Sequence, residues 1–512
     1  SLIAEMGRQI AEQCVRLGIN VNFAPDIDVN NEPNNPVIGF RSFGEDPDNV
    51  ARKGTAYALA LQNNGVLPSM KHFPGHGNTK TDSHHALPII KNSLEEIEEI
   101  ELYPFKYLTD NGVKGAMVGH LYFPALEPIV NKSSSLSKNI VTDLLKEKMN
   151  YDGIIFTDGL EMKGAYNGTD PDSVCLQAIM AGNDILLLPI NVDASMQIII
   201  NAAMNDDEVY NRVEESCKKI LRHKYQLGLD KYKPLSLERL NNDLYQNRFL
   251  SLKQRLYNEA VTMLVNKKQI LPLRNVEGKK IAVVTFGDDN SISKRLNDNG
   301  IVNKSFIINS NISEEEAKRT AKQFKSYDYV ILNIRNISSY PSKNYGITPA
   351  MTSFVNHLPN SIKLILNVFG NPYAIDKFNF SKNLSSLLVG YEDNEMVANS
   401  MIDILIGKMS PKGKLPVSLR KYKCGYGLEF KGFLSPETLP IALIENENID
   451  RIDSLVVDAI KQKAFPGRQI LALKDGKIIF DRNYGKFTYE GEQVVHNDAV
   501  YDIASLTKLF AS

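Results

Sequence analysis

The chain has no tryptophan, only four cysteines in 512 residues, and a formal charge of −1. It also lacks any apolar run of the ~18 residues that would argue for a membrane span. Cys14, Cys175, Cys217 and Cys424 stand far apart and form no C-x-x-C pair. Neither a disulfide scaffold nor a cysteine zinc site is expected, and the redox compartment is left open. Near-neutral charge gives no electrostatic reason to expect nucleic acid or an anionic membrane as a partner. Chemistry has to be read from local constellations of residues.

What is present is an alternating rhythm. From residue 1 to about 228, short apolar runs recur at Val21–Ile27, Val66–Met70, Gly115–Val118, Gly153–Thr157 and Ile185–Leu188. Amphipathic stretches lie between them: Asn49–Asn64, Ser93–Asn111, Lys138–Met149 and Ser173–Ala181, with Leu2–Leu17 in front. Buried strands alternating with such helices predict parallel βα units. Polar groups follow most of the runs: Asp26 and Asp28, Lys71 and His72, His120, Asp158. Functional groups at the carboxyl ends of successive strands are what a (β/α)8 barrel supplies. Five units are visible, so a barrel truncated at its N-terminus is expected, with three units before Ser1. An open parallel sheet is the alternative.

A polar connector at 229–250 leads to a second α/β region. Strands are read at Lys280–Phe286, Tyr329–Asn333, Lys363–Val368 and Ser386–Val389, with helices such as Ser313–Phe324 and Asn394–Ile406 between them. This predicts an α/β sandwich over 251–420. After a Gly- and Pro-containing connector at 421–447 come a helix, Asp450–Lys463, and two strands, Gln469–Leu473 and Ile478–Asp481, joined at Asp475-Gly476 as a hairpin. The domains read as 1–228, 251–420 and 448–512, the first and last incomplete.

Four of the eight histidines fall between His72 and His85, in a loop with Pro74, Gly75 and Gly77. Such a segment is neither helix nor strand and can carry polar groups over a barrel mouth. His72, His76 and Asp82 could offer three metal ligands, but they share no helical spacing, and no metal is expected. His76 and His85 are as readily structural as functional. Asp82 and His84 are two residues apart, which places both side chains on one side of an extended segment. A carboxylate beside an imidazole fixes its tautomer and raises its basicity, making a proton shuttle for near-neutral pH. Asp158 directly follows the run at 153–157. It suits a nucleophile, a metal ligand or a helix N-cap. Combined with the His84 pair, it suits double displacement at an anomeric carbon.

The blocks that carry these residues are Asn22-Phe-Ala-Pro-Asp-Ile-Asp-Val-Asn30, Asn35-Pro-Val-Ile-Gly-Phe-Arg-Ser-Phe-Gly44, Lys71-His-Phe-Pro-Gly-His-Gly77 with Asp82-Ser-His84, and Asp158-Gly-Leu-Glu-Met162. Together and in this order they resemble glycoside hydrolase family 3, in its β-N-acetylglucosaminidase branch. The resemblance implies a retaining, exo-acting β-N-acetylhexosaminidase without cofactor. Asp158 would be the nucleophile, His84 the acid/base and Asp82 its orienting partner, with Arg41, Lys71 and His72 on the terminal N-acetylsugar. The substrate would be an N-acetylglucosamine-containing oligosaccharide or a muropeptide. Members of this branch with the His/Asp pair are also associated with phosphorolysis, so the acceptor stays open between water and phosphate. Ile270-Leu-Pro-Leu273 and Gly413-Lys-Leu-Pro416 are similar to the two ends of the sandwich that follows the barrel in this family. With no tryptophan, a stacking platform for sugar must come from Tyr or Phe, such as Tyr122, Phe123 or Tyr166.

Ser505-Leu-Thr-Lys508 is an S-x-x-K motif, which on a helix puts a hydroxyl and an amine on one face. Preceded by Pro466-Gly467 and the two strands, it resembles the start of a serine β-lactamase or penicillin-binding-protein-like domain. That resemblance makes Ser505 a nucleophile and offers acyl transfer as a second activity. A silent sugar-binding module is a third reading. Two wall-directed domains favour a bacterial periplasm or cell envelope, with cytoplasm as the other location.

Overall fold

The computed structural model describes residues 1–166, 170–231, 233–274, 276–287, 291–380, 383–430, 437–438, 446–474, 477–496 and 499–502. Ser505 and Lys508 lie outside the described residues.

All five apolar runs of the first region form parallel strands. β1 (Val21–Asn22) pairs with β2 (Leu67–Pro68), and a bridge between Asp26 and Lys71 extends that pairing past Ser69. β3 (Met70–Phe73), which follows β2 directly across Ser69 and shares its strand position, forms a four-stranded parallel sheet in chain order with β4 (Gly115–Val118), β5 (Ile154–Gly159) and β6 (Ile185–Leu187). Among the described residues there are thus five strand positions, not the eight of a closed barrel. The helix Pro47–Gln62 starts at the Asp46 N-cap with proline in its first turn. The next begins with a capping box between Ser93 and Glu96 and passes through a π-helical turn at Ile97–Glu101. Helices and sheet close on a core that includes Ile27, Val50, Met70, Ile155, and Phe73 edge-on to Phe105 at 5.3 Å. The helix Leu2–Arg16 approaches Pro47–Gln62 closely at Gly7. A Cβ there would lie 2.7 Å from the Tyr57 carbonyl, so the approach requires glycine.

The second region is a six-stranded sheet. Its strands are β7 (Thr262–Asn266), β8 (Ile281–Phe286), β9 (Lys304–Ile308), β10 (Tyr329–Ile334), β11 (Lys363–Val368) and β12 (Leu384–Val389). The order is β7-β12-β11-β10-β8-β9, all parallel except β7 against β12. Alternate residues serve two cores: Val284, Leu332 and Leu366 on one face, Val283, Ile331 and Ile365 on the other. β7 and β9 are not among the expected strands. β9 is an edge strand with an exposed face, and its apolar run is only the three residues Phe306–Ile308.

Residues Ser1–Tyr245 and Leu256–Phe430 form one compact unit, and Gln246–Arg255 with Lys431–Ser512 form another. Within the first unit the sandwich grips the loop after β1. The Glu45 N–H donates to the Pro416 carbonyl at 2.9 Å, the Ser418 N–H donates to Glu45 Oε2 at 2.7 Å, and Tyr345 Oη donates to the Pro33 carbonyl at 2.8 Å. The second unit contains the helix Asn446–Lys461. In its sheet, β13 (Glu437–Thr438) runs parallel to β15 (Lys477–Gly485), and β14 (Gly467–Lys474) pairs antiparallel with β15. The connector at 229–250 is less irregular than expected. It holds a short helix, Leu240–Leu244, and the helix Asn247–Ala260 begins inside it, where Phe249, Leu252 and Leu256 supply a helical i, i+3, i+7 apolar spacing.

Candidate active site

Loop residues after β1 and the carboxyl ends of β3 and β5 converge on one cavity of about 380 Å³. Its lining includes Arg41, Lys71, His72, His84, Asp158 and Phe23. Five of the six sugar-site residues expected from sequence therefore face one space. The sixth, Asp82, reaches it through His84.

Asp28 organises the inner wall. Its carboxylate accepts from His72 Nδ1 at 2.8 Å, from the His72 N–H at 3.1 Å and from the His76 N–H at 2.6 Å. Asp26, next to it, faces Arg41 Nε at 3.5 Å. Asn35 ties the two loops together. Its amide donates to the carbonyls of His76 and Gly77, and its oxygen accepts from the N–H groups of Val37 and Ile38, all at 2.9 Å. Gly77 permits this packing, because a Cβ there would collide with the Val29 carbonyl. Asp26, Asp28 and Asn35 received no individual role from sequence, though Asp26 and Asp28 stood among the polar groups at strand ends and all three lie in the blocks that carry the resemblance. The partners that Asp28 and Asn35 hold in the histidine loop lie 41 to 48 residues away in sequence, which no local pattern signals.

Burial decides the protonation states. It pushes Asp26 up to about 7, helped by the charge of Asp28, and it lowers His72 and His76 to about 4. Burial also raises Asp28, against the nearby His76 and the N–H groups of His76 and His72. His72 is thus a neutral imidazole at neutral pH, with Nδ1 committed to Asp28. Asp158 behaves oppositely. Burial acts to raise it, but His72, His120, the Gly159 N–H and Lys71 outweigh burial and hold it below its ordinary value. Its Oδ1 accepts from the Gly159 N–H at 2.8 Å. The next helix starts at Lys163, so Asp158 does not occupy the N-cap position considered from sequence.

Glu101 lies behind this wall, 2% exposed, with Asn31 Nδ2 at 3.4 Å from Oε1. Burial pushes it up from 4.5 to about 7. A carboxyl raised on folding contributes stability that is present below its unfolded value and lost as pH rises through the folded one. The parent protein is therefore expected to lose on the order of 3 kcal/mol from this group between about pH 4.5 and 7. Glu101→Gln should flatten that decline. Denaturation midpoints at pH 5 and pH 8 measure it, and an equal pH slope in both proteins would refute the assignment.

His84 Nδ1 meets Asp82 Oδ1 at 2.7 Å, and the same oxygen accepts the His84 N–H at 2.9 Å. The pair forms as expected but by a different local geometry. Residues 82–86 make a turn, with the N–H groups of His85 and Ala86 donating to the Asp82 carbonyl, rather than an extended segment. His84 is 60% exposed at the cavity mouth, whereas Lys71 and His72 lie deeper. His76 lines the cavity too, with Nε2 3.2 Å from Ser83 Oγ. His120 is spent on structure, between Ser135 Oγ at 2.8 Å and the Gly159 carbonyl at 2.9 Å. Two of the suggested stacking platforms are corrected: Tyr122 and Phe123 are 7% and 0% exposed and offer no ring face. Their run packs into the core instead. The aromatic ring in the cavity wall is Phe23, held edge-on against Phe156 at 5.3 Å.

Among the described residues, the group whose donor atoms could reach one metal ion is Asp26, Asp28 and His72, with those atoms within 4.8 Å of one another. Asp28 is already committed to three N–H donors, and the Arg41 guanidinium lies beside Asp26. A cation would have to displace these partners, so the set fits a hydrogen-bonding role better than a metal.

Comparison with known proteins finds similarity over both of the first two regions. The family model described as the glycosyl hydrolase family 3 N terminal domain matches residues 1–223, and that of the family's C-terminal domain matches 261–453. Beta-hexosaminidase A of Pseudoalteromonas piscicida is 39% identical over 193 residues, 36% of this chain and 32% of the relative. A beta-hexosaminidase of Chromobacterium violaceum is 34% identical over 187 residues, 36% of this chain and 51% of the relative. The matched stretch thus spans a third to a half of these curated relatives. A solved family 3 beta-N-acetylglucosaminidase from Paenibacillus sp. str. FPU-7 superposes with a TM-score of 0.65 at 28% identity, covering 81% of this chain and 80% of that one.

Proposed function

The chain belongs to glycoside hydrolase family 3, and from that premise we propose that it acts as a retaining, exo-acting β-N-acetylhexosaminidase on N-acetylglucosamine-containing oligosaccharides or muropeptides. The observation that carries this reading is that Asp158 and the Asp82-paired His84 line one sugar-sized cavity.

Asp158, held below its ordinary value by His72, His120, the Gly159 N–H and Lys71 and so ionised, attacks the anomeric carbon. His84, its Nδ1 oriented by Asp82, protonates the leaving oxygen through Nε2 and later deprotonates the water that frees the glycosyl-aspartate. Arg41 and Lys71 donate to sugar oxygens, and the unprotonated Nε2 of neutral His72 accepts from a sugar hydroxyl. The oxocarbenium-like transition state gains from the Asp158 carboxylate beneath it. No cofactor enters the scheme.

Product NMR tests the whole proposal. With a β-linked N-acetylglucosaminide the first product should be the β-anomer, and an α-anomer formed first would rule out double displacement. Added phosphate reports the acceptor: a sugar 1-phosphate would replace hydrolysis with phosphorolysis. His84→Ala should slow cleavage of a sugar leaving group by roughly 10²–10⁴-fold. A dinitrophenyl leaving group, which needs no proton, should suffer less in the first step, and azide should restore turnover. Equal loss on both substrates would remove His84 from the acid role.

We further read residues 1–228 as a (β/α)8-type barrel domain, 251–420 as the α/β sandwich and 448–512 as a β-lactamase-like segment. The parallel β1–β6 order supports the first reading, and the helix-then-hairpin order in the second unit supports the last. Ser505 with Lys508 would supply that segment's acyl-transfer chemistry.

A further inference from the structure

His84 must work in concert with Asp158, yet its own pairing does not tie it there. It is 60% exposed, and its partner Asp82 belongs to the same turn. Asp158 stands at the end of β5. The residue between Asp82 and His84 supplies the tie. Ser83 is 2% exposed in an otherwise open turn and borders the catalytic cavity.

Ser83 is held at two atoms. Its carbonyl accepts the Gly164 N–H at 3.1 Å, and its Oγ lies 3.2 Å from His76 Nε2. Each contact leads back to the inner site. The His76 N–H donates at 2.6 Å to Asp28, the carboxylate that also holds His72. Gly164 sits in the short helix Lys163–Tyr166, on the chain that leaves Asp158. The segment between them is pinned. The Gly159 carbonyl accepts from His120 Nε2 at 2.9 Å, the Leu160 N–H donates to the Leu187 carbonyl at 2.9 Å, and the Met162 N–H donates to the Gly159 carbonyl at 3.1 Å. The approach is also close. A Cβ on Gly164 would lie 2.9 Å from the Ser83 carbonyl oxygen and 3.2 Å from His120 Cβ. Even an alanine methyl would drive the acid/base turn away from the segment behind the nucleophile.

We propose that Ser83 and Gly164 are positioning residues that set the distance between His84 and Asp158, by clamping the acid/base turn to the chain that leaves the nucleophile. This rests on the glycosidase reading above. Proton transfer requires His84 Nε2 within hydrogen-bond reach of the leaving oxygen while Asp158 closes on the anomeric carbon. An imidazole on an open turn meets that condition when the backbone of the turn is fixed. Ser83 moves no proton itself and acts through His84.

The test compares kcat/KM on two glycosides of N-acetylglucosamine. In a β-1,4-linked disaccharide the leaving sugar needs a proton; in the dinitrophenyl glycoside the leaving group does not. Gly164→Ala should lower the disaccharide value roughly 10²-fold. Ser83→Ala, which loses the Oγ contact but keeps the carbonyl one, should lower it about tenfold. Both should lose far less on the dinitrophenyl glycoside, whose cleavage also shows that the nucleophile side is intact. A purely structural role would lower both substrates alike. An unchanged disaccharide value in both variants overturns the proposal, as does an equal loss on the two substrates in Ser83→Ala. His84→Ala, measured alongside, separates this inference from the reading beneath it. If His84→Ala shows the selective loss and neither clamp variant does, only the clamp falls. If His84→Ala loses equally on both substrates, the acid role of His84 falls and this inference with it.

Discussion

Asp158→Asn is expected to release N-acetylglucosamine from a chromogenic glycoside on the order of 10⁴-fold more slowly than the parent protein, equivalent to about 5.5 kcal/mol of transition-state stabilisation. The amide keeps the size of the side chain and can still accept the Gly159 N–H. The loss would therefore be one of nucleophilicity and charge rather than fold. The thermal midpoint should stay close to the parental value, because removing a carboxylate that burial penalises offsets part of what its cationic neighbours lose. The pH dependence carries an independent signature. His72, His120 and Lys71 hold Asp158 below its ordinary range despite burial, so the acid limb that it sets should lie below that of an ordinary aspartate. A kcat/KM profile reads that limb. Turnover in Asp158→Asn at more than a few per cent of the parental rate would remove this residue from the mechanism.

How much of this was legible beforehand differs between fold and site. Parallel strands covered on both faces read as unbroken apolar runs, so β1 to β6 were recoverable within a few residues, and Ser313 and Asn394 marked helix starts through their side-chain caps. Edge strand β9, with three of its five residues exposed, carries only the short run Phe306–Ile308 and was missed. The site divides in the same way. Asp82 with His84 is a local pair, two residues apart, and needs no tertiary knowledge. Asp28 serves His72 across 44 residues, and Asn35 serves the histidine loop across 41. Such links have no periodicity to reveal them. The grip of the sandwich on the loop after β1 spans over 300 residues and left equally little trace. Burial misled in the opposite direction at Tyr122 and Phe123. An aromatic pair reads alike whether it faces a ligand or the core.

The same kind of long-range link underlies the second large effect. Asp184 lies just before β6 and gathers four donors: Arg212 and Lys219 at 2.9 Å, Ser216 Oγ at 2.7 Å and the Ile155 N–H at 3.0 Å. It thereby fastens the helix Asp207–Gln226 to the buried start of β5, the strand whose far end presents Asp158. Burial acts to raise Asp184, but Lys219, Ser216 and Arg212 outweigh it and lower it. A carboxyl lowered on folding contributes stability present above its unfolded value and lost as pH falls through the folded one. Asp184→Ala leaves two largely buried cations without their buried counter-charge, with only backbone carbonyls and the rim carboxylate Glu215 still accepting from them, and takes the side-chain acceptor from a buried strand N–H, so it should cost about 3–5 kcal/mol at pH 7. Asp184→Asn should recover only part of this, because an amide accepts hydrogen bonds without countering the two charges. Urea unfolding at pH 7 and pH 3 checks both the size and the sign. The gap between parent and alanine variant should narrow in acid, where the parental carboxylate loses its charge. A gap that is constant with pH would mean that shape, not charge, is what Asp184 contributes beneath the catalytic strand.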